Sequence, residues 1–294
     1  MKKIVYCSWI LLFFACRQRY MPPVDSPVTG YLVVEGIINS GTGPTKLKLS
    51  RTTKLVDSFN INNVVGATVA VQGDNNTSMA LAETVPGEYT SPQLPINSNQ
   101  KYRLYVKTKD GKEYQSEFIP VKKTPPIDSI SWERTGDGVQ IFADAHDALG
   151  NTRYYKWEYE ETWEFHSPFQ SSLYYKEFPD GSLLAYYRFP NRAQDLSFYI
   201  CWQFQNSSQI LIASTAKLIK DTTHFQLINI PPASWKLSFL YSVRVLQTSL
   251  SANGYEYLRK MKKNTEQTGS LFDAQPSELR VNIKCLTSPS ELVI

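Results

Sequence analysis

Apolar and polar positions alternate along "KYRLYVKTKDGKEYQSEFI" (101–119). Tyr102, Leu104, Val106 and Thr108 fall on one side, and Lys101, Arg103, Tyr105, Lys107 and Lys109 on the other. Period two with one apolar face predicts a half-buried antiparallel strand. Lys109-Asp110-Gly111-Lys112 supplies the turn, Asp-Gly being a favoured type I′ pair, and Tyr114 begins the return strand. The pattern recurs in "YLVVEGII" (31–38), "TKLKLSRT" (45–52) and "GATVAVQG" (66–73), with Gly73-Asp74-Asn75-Asn76 as a further turn. Residues 28–123 are therefore expected to form a small β-sandwich. Thr124-Pro125-Pro126 ends it and serves as a linker.

Residues 124–294 continue the β pattern as a second, larger domain. Its expected strands are "IDSISWE" (127–133), "YYKWEYEETWEFH" (154–166), "SLLAYYRFP" (182–190), "LSFYICWQFQN" (196–206), "QILIAST" (209–215), "HFQLINIP" (224–231) and "WKLSFLYSVRVLQTS" (235–249). In the strand 154–166, Tyr155, Trp157, Tyr159, Trp163 and Phe165 share one face, interrupted only by Glu161. Lys156, Glu158, Glu160 and Glu164 share the other. Two readings follow. Trp157, Tyr159 and Trp163 form a sugar-binding platform, or they are core, which is the commoner fate of aromatics at period two. One helix is expected at 252–267, capped by Ser251, with Tyr255, Leu258 and Met261 at helical spacing and Glu256 and Lys260 at i,i+4. Its Arg259, Lys260, Lys262 and Lys263 suit either anionic headgroups or a solvated face. The fold class is thus mostly β: two tandem β-sandwich-like domains with one inserted helix.

The N-terminus changes the setting. Lys2 and Lys3 precede an apolar run from Ile4 to Ala15. That run is short of the roughly 20 residues a spanning helix needs, and it reads as a signal peptide, 1–15. Phe13-Phe14-Ala15-Cys16 resembles a bacterial lipobox, although Phe13 departs from the usual Leu, Val or Ile. Cys16 is then acylated and becomes the mature N-terminus. Several acyl chains on one residue anchor stably, since each buried methylene contributes about 0.8 kcal/mol. Residues 16–27 read as a tether, and the stretch from Arg17 reaches roughly 35 Å when extended. No Asp follows Cys16, so the expected place is the outer membrane, with its periplasmic and surface faces both open.

Removing residues 1–15 takes away Lys2 and Lys3 and no acid, so the formal net charge falls from +4 to +2. That argues against a nucleic-acid partner, which calls for a clustered basic footprint. Two thiols then remain for the oxidising envelope, Cys201 and Cys285. Both end or lie within strand-like segments, so a disulfide between them is expected, worth roughly 4–5 kcal/mol in the chain-entropy model. The alternative is two separate buried thiols. His146, His166 and His224 lie far apart without metal-ligand spacing. "DAHDALGN" (144–151) brings Asp144, His146, Asp147 and Asn151 near a turn but lacks the order of a dedicated calcium loop. Glu160, Glu161 and Glu164 offer a glycosidase pair only if two of them converge. No cofactor is implied.

"YLVVEGIINSGTGPTKLKLSRT", "TRYYKWEYEETWEF", "CW" at 201–202, and above all the stretch from Tyr241 to Cys285, together with the lipobox, resemble the domain of unknown function 4249 family. These are Bacteroidota envelope lipoproteins often encoded near TonB-dependent outer-membrane receptors. The resemblance implies an N-terminal immunoglobulin-like or transthyretin-like sandwich, a larger C-terminal β domain, and no assigned catalytic residue. Members of the family continue past the position of Val293-Ile294, which implies a truncated second domain here. The expectation is a non-enzymatic accessory or binding lipoprotein near such a receptor. The alternative is a glycan- or peptide-hydrolysing envelope enzyme.

Overall fold

The computed structural model describes residues 30–53, 61–169, 171–187, 199–266, 279 and 281–294. The signal segment, Cys16 and the tether lie outside the described residues. The fold is mostly β, and its sheets are antiparallel. The strands in the first part are β1 (Leu32–Ile37), β2 (Thr45–Arg51), β3 (Asn62–Asn63), β4 (Thr68–Gly73), β5 (Ser78–Val85), β6 (Glu88–Ser91), β7 (Lys101–Lys107), β8 (Glu113–Ser116) and β9 (Ile119–Pro120). Alternation fixes which side each buries. In β7, Tyr102, Leu104 and Val106 are buried while Lys101 and Lys107 are exposed. The turn after β7 needs a left-handed residue, and Gly111 supplies it at φ +84°.

After β9 come β10 (Ile127–Thr135), β11 (Gly138–His146), β12 (Tyr154–His166), β13 (Leu173–Glu177), β14 (Leu183–Tyr187), β15 (Ile200–Asn206), β16 (Leu211–Ser214), β17 (Thr222–Ile230) and β18 (Tyr241–Ser249). A helix, α1 (Ala252–Glu266), and β19 (Ile283–Cys285) complete the order. β10, β11 and β17 form one sheet. β12 carries β15 and β16 along one edge and β18 along the other. Ile141, Ala143, Tyr155, Trp157, Leu227 and Ile230 form the core between these two sheets. Gly138 is required where β10 turns into β11. Its φ is +120°, and a Cβ there would lie 2.0 Å from the Ile230 carbonyl oxygen.

Two expected boundaries change. Residues 235–240 are not strand: a 3-10 turn, Trp235–Leu237, precedes β18. Pro231-Pro232 and Ala233, at φ +61°, swing the chain out of β17 and prevent a direct continuation. The second change is larger. β19 pairs with β8, not with the second part of the chain, through Ile283↔Ser116, Lys284↔Gln115 and Cys285↔Tyr114. Val293 then bridges Leu32 in β1, and Ile294 exchanges backbone hydrogen bonds with Leu32 and Val34, each 2.9 Å. The C-terminal residues therefore belong to the first core, where Cys285 and Val293 are buried beside Leu32 and Tyr114. The sheet β1-β2-β6-β5-β4-β7-β8-β19 thus curls until its last strand leads back to its first.

In α1 the expected cap forms, with Ser251 Oγ accepting the Gly254 N–H at 3.1 Å. Glu256 pairs with Arg259 at 2.7 Å, one residue nearer than the expected Lys260. The helix docks through Tyr255 on Tyr154, through Lys262 Nζ donating to the Ile210 carbonyl, and through Glu266 accepting the Ile210 N–H.

Glu291 secures the returning terminus. It accepts from the Tyr114 hydroxyl at 2.7 Å and Lys112 Nζ at 2.6 Å, and lies 3.7 Å from Arg51. Burial opposes its ionised form, but these partners outweigh burial and hold the carboxyl below the usual carboxylate range. A depressed carboxylate contributes stability above its unfolded value, about 4.3, which is lost as pH falls through the lower folded value. Glu291→Gln should therefore cost about 1.5–3 kcal/mol at neutral pH. In urea unfolding, the gap from wild type should close below about pH 4. A gap that persists unchanged at pH 3 would refute the ionic clasp.

Candidate functional site

The aromatic strand β12 is the natural place to look. Trp157 and Tyr155 are fully buried, Trp157 stacks on Phe225 at 4.6 Å, and its Nε1 donates to Gln247 Oε1 at 2.7 Å. Tyr159 is half-buried beside them, and burial raises its hydroxyl pKa. Trp163 is buried too. Core, not platform, is the reading the packing supports.

Glu161 breaks this face because it is a carboxylate inside it, 2% exposed. Lys236 Nζ reaches one oxygen at 2.8 Å and the Tyr241 hydroxyl donates to the other at 2.8 Å. Burial, then Glu161, pushes the Tyr241 hydroxyl far above its ordinary pKa. The same ammonium sits 4.6 Å over the Trp163 ring and 3.2 Å from Gln205 Oε1. Trp235 closes the edge, 4.9 Å from Phe165 and 6.5 Å from Trp163. The segment 231–240 is thereby strapped across the distal half of β12. Glu160 and Glu164 point the opposite way, to Arg244 at 3.2 Å and His166 at 2.7 Å. Strand alternation therefore sets Glu161 on the face opposite Glu160 and Glu164, while those two share a face but are engaged separately by Arg244 and His166.

Pairing also gathers residues that are distant in sequence. Asp144 lies opposite His224, and His146 opposite Thr222, on the outer face of β11 and β17. His224 Nδ1 contacts Asp144 at 2.5 Å, His146 Nδ1 contacts Asp128 at 2.7 Å, and Ser129 and Ser131 donate to Asp144. The hydrogen bond and charge of Asp128 raise the His146 pKa. His224 leans back onto Phe142, ring centroids 4.4 Å apart, while His146 leans toward β10. The two imidazoles thus diverge. Among the described residues no group of three or more His, Cys, Asp or Glu could hold a metal. Asp147 accepts the N–H groups of Leu149, Asn151 and Thr152, so "DAHDALGN" is strand end and polar turn. Asp221, buried, accepts from Tyr155 and Thr215.

Cys201 and Cys285 are both free, which overturns the expected bridge. Cys201 sits in β15 opposite Phe165, whereas Cys285 in β19 faces Tyr114 in a different sheet, its sulfur 3.4 Å from Thr287 Oγ1. The physical reason is the return of the C-terminus to the first core. Among the described residues no helix is long and apolar enough to cross a membrane. A shallow, open depression of about 250 Å³ lies on β1, β2 and β6, lined by Glu35, Lys46, Lys48 and Glu88 around Leu47.

Large apolar side chains remain in solvent at the distal end of β12. Trp202 and Phe204 project from β15, and Trp235, Phe239 and Leu240 from the strap. Sequence alternation alone could not find them, because burial depends on which sheets overlap.

These features belong to a mostly β protein. The chain matches the family described as Domain of unknown function (DUF4249) over residues 17–294, and it belongs to that family. No curated protein matches it.

Two substitutions separate the core from the strap. Trp157→Ala should cost about 3–5 kcal/mol in urea unfolding. Unchanged stability with lost glycan binding would restore the platform. Lys236→Met should cost a similar amount, about 3–5 kcal/mol, by leaving Glu161 charged and unpaired inside the protein. Adding Glu161→Gln should recover part of that loss, and a single Lys236→Met variant as stable as wild type would rule out the ion pair as the fastening.

Proposed function

We propose that this chain is a non-enzymatic, lipid-anchored binding or accessory component of the bacterial outer membrane, held by acylated Cys16 and working beside a TonB-dependent receptor. The observation that carries the binding role is the exposed apolar surface at the distal end of β12, where Phe204 is 79% and Trp202 55% exposed. Trp202 and Phe204 stand two residues apart on one face of β15, and large apolar side chains left together in water often mark an interaction site. Membership of the DUF4249 family is in keeping with the envelope setting and the receptor that the resemblance implies, while the anchor rests on the lipobox-like stretch 13–16 itself. Against the hydrolase alternative, Glu161 is buried on the opposite face from Glu160 and Glu164, and each of the three is taken up by its own partner: Lys236 for Glu161, Arg244 for Glu160 and His166 for Glu164.

Metabolic labelling with a palmitate analogue should mark the wild-type chain and not Cys16→Ala. Crosslinking in native membranes, followed by capture of the lipidated chain, should recover a TonB-dependent receptor. Equal labelling of Cys16→Ala would refute the anchor, and capture without any receptor would refute the partner.

A further inference from the structure

Between β12 and β15 the chain makes an excursion closed at its base, where the Ser167 N–H donates to the Tyr199 carbonyl at 2.9 Å. The excursion carries the hairpin β13–β14, which pairs with no other strand among the described residues. A two-stranded ribbon in water is marginal by itself, so the setting of its exposed side chains matters to it. Register places Leu173, Tyr175, Leu183 and Tyr187 on one face, and Tyr174, Lys176, Leu184 and Tyr186 on the other. Every residue of both strands is exposed, with Tyr175 72%, Tyr187 73% and Leu184 51%. A flat protein partner covers one face of a ribbon. Apolar side chains on both faces suit an environment that surrounds the ribbon.

The strap emerges at the same end. His166, the last residue of β12, stacks on Phe239 at 3.5 Å and on Tyr199 at 4.8 Å. Trp235 and Phe239 are each 52% exposed there. Tyrosine and tryptophan beside leucine are the composition of a membrane–water interface, where one end of the side chain is apolar and the other wet. From Cys16 to Gly30 the chain spans at most about 50 Å when extended. An anchored protein is thereby held close to the bilayer.

We infer that the hairpin β13–β14 and the adjoining strap are a membrane-contact surface that seats this end of the protein at the headgroup level of the bilayer. The depth follows from chemistry. The tip carries Asp180, whose hydrogen bonds with Ser182 lower its pKa and keep it ionised. The outer edges of both strands, unpaired among the described residues, still need water for their backbone groups, which excludes the hydrocarbon layer. The inference takes only the bilayer's proximity from the proposed anchoring and is independent of the receptor.

The test uses the mature chain, residues 16–294, carrying Cys16→Ala so that no acyl chain contributes, with vesicles of phosphatidylethanolamine and phosphatidylglycerol. The chain should co-float with them. Lipids brominated near the headgroup should quench its tryptophan fluorescence. Leu183→Glu with Tyr187→Glu should reduce partitioning about tenfold or more, whereas Leu149→Glu, at an 82% exposed turn beyond the opposite end of β12, should leave it unchanged. Quenching on the unsubstituted chain keeps the test valid even if the double variant misfolds. Absence of flotation and quenching overturns the inference. So does equal loss in Leu149→Glu, or a double variant that floats as well as the unsubstituted chain.

Discussion

A carboxylate inside an aromatic face sets the terms for the second half of this molecule. Strand alternation forces Glu161 to point where Trp157, Tyr159 and Trp163 point, and an isolated charge there would be strongly unfavourable. Lys236 resolves this, and only because the chain leaves β17 at Pro231-Pro232 and crosses back over β12. The strap exists in its observed position because Glu161 needs a cation. Its position in turn leaves Trp235 and Phe239 at the surface. One buried charge thus links core packing to the exposed apolar end. Such pairs seldom add net stability over an apolar equivalent, so their value is in fixing one arrangement of the strap.

The first half has a different constraint, which is closure. A long antiparallel sheet has two edges, each with unpaired backbone groups that invite association. Here β19 extends one end of the sheet and the residues after it reach the other, where Val293 and Ile294 cover β1. Glu291 lies between these contacts and gathers Lys112, Tyr114 and Arg51 around one carboxylate. The C-terminus is therefore part of the first core, although almost the whole second part intervenes in sequence.

Local patterns were legible; long-range pairings were not. The alternation in β7 and the Ser251 cap each depend on neighbours a few residues away and form as expected. The chain also turns at Asp110-Gly111, but only Gly111 takes positive φ, so it is not the expected type I′ pair. Burial of Trp157 agreed with the commoner fate of aromatics at period two, a rule that Trp202 and Phe204 do not follow. β11 was overlooked because "DAHDALGN" carries turn residues, yet strand pairing persists through Asp144 and His146. The Asp144–His224 contact joins residues on strands whose adjacency no local pattern encodes. The same ignorance produced the expected disulfide: two strand-like segments with cysteines gave no indication that one belonged to the other core.

The contrast between the two aromatic populations bears most directly on function. Trp157 and Trp163 alternate with charged residues just as Trp202 and Phe204 alternate with glutamines, so periodicity treats them alike. What separates them is coverage. The first half of β12 lies under the β10-β11-β17 sheet and the second half under the strap, whereas the outer face of β15 has nothing over it among the described residues. A small β domain could bury such side chains by adding one strand or widening a sheet. Leaving them in water raises the free energy of the isolated chain by the unrealised burial of each ring. Only binding to something apolar recovers that term, so function in this protein is better sought on its uncovered surface than in its filled interior.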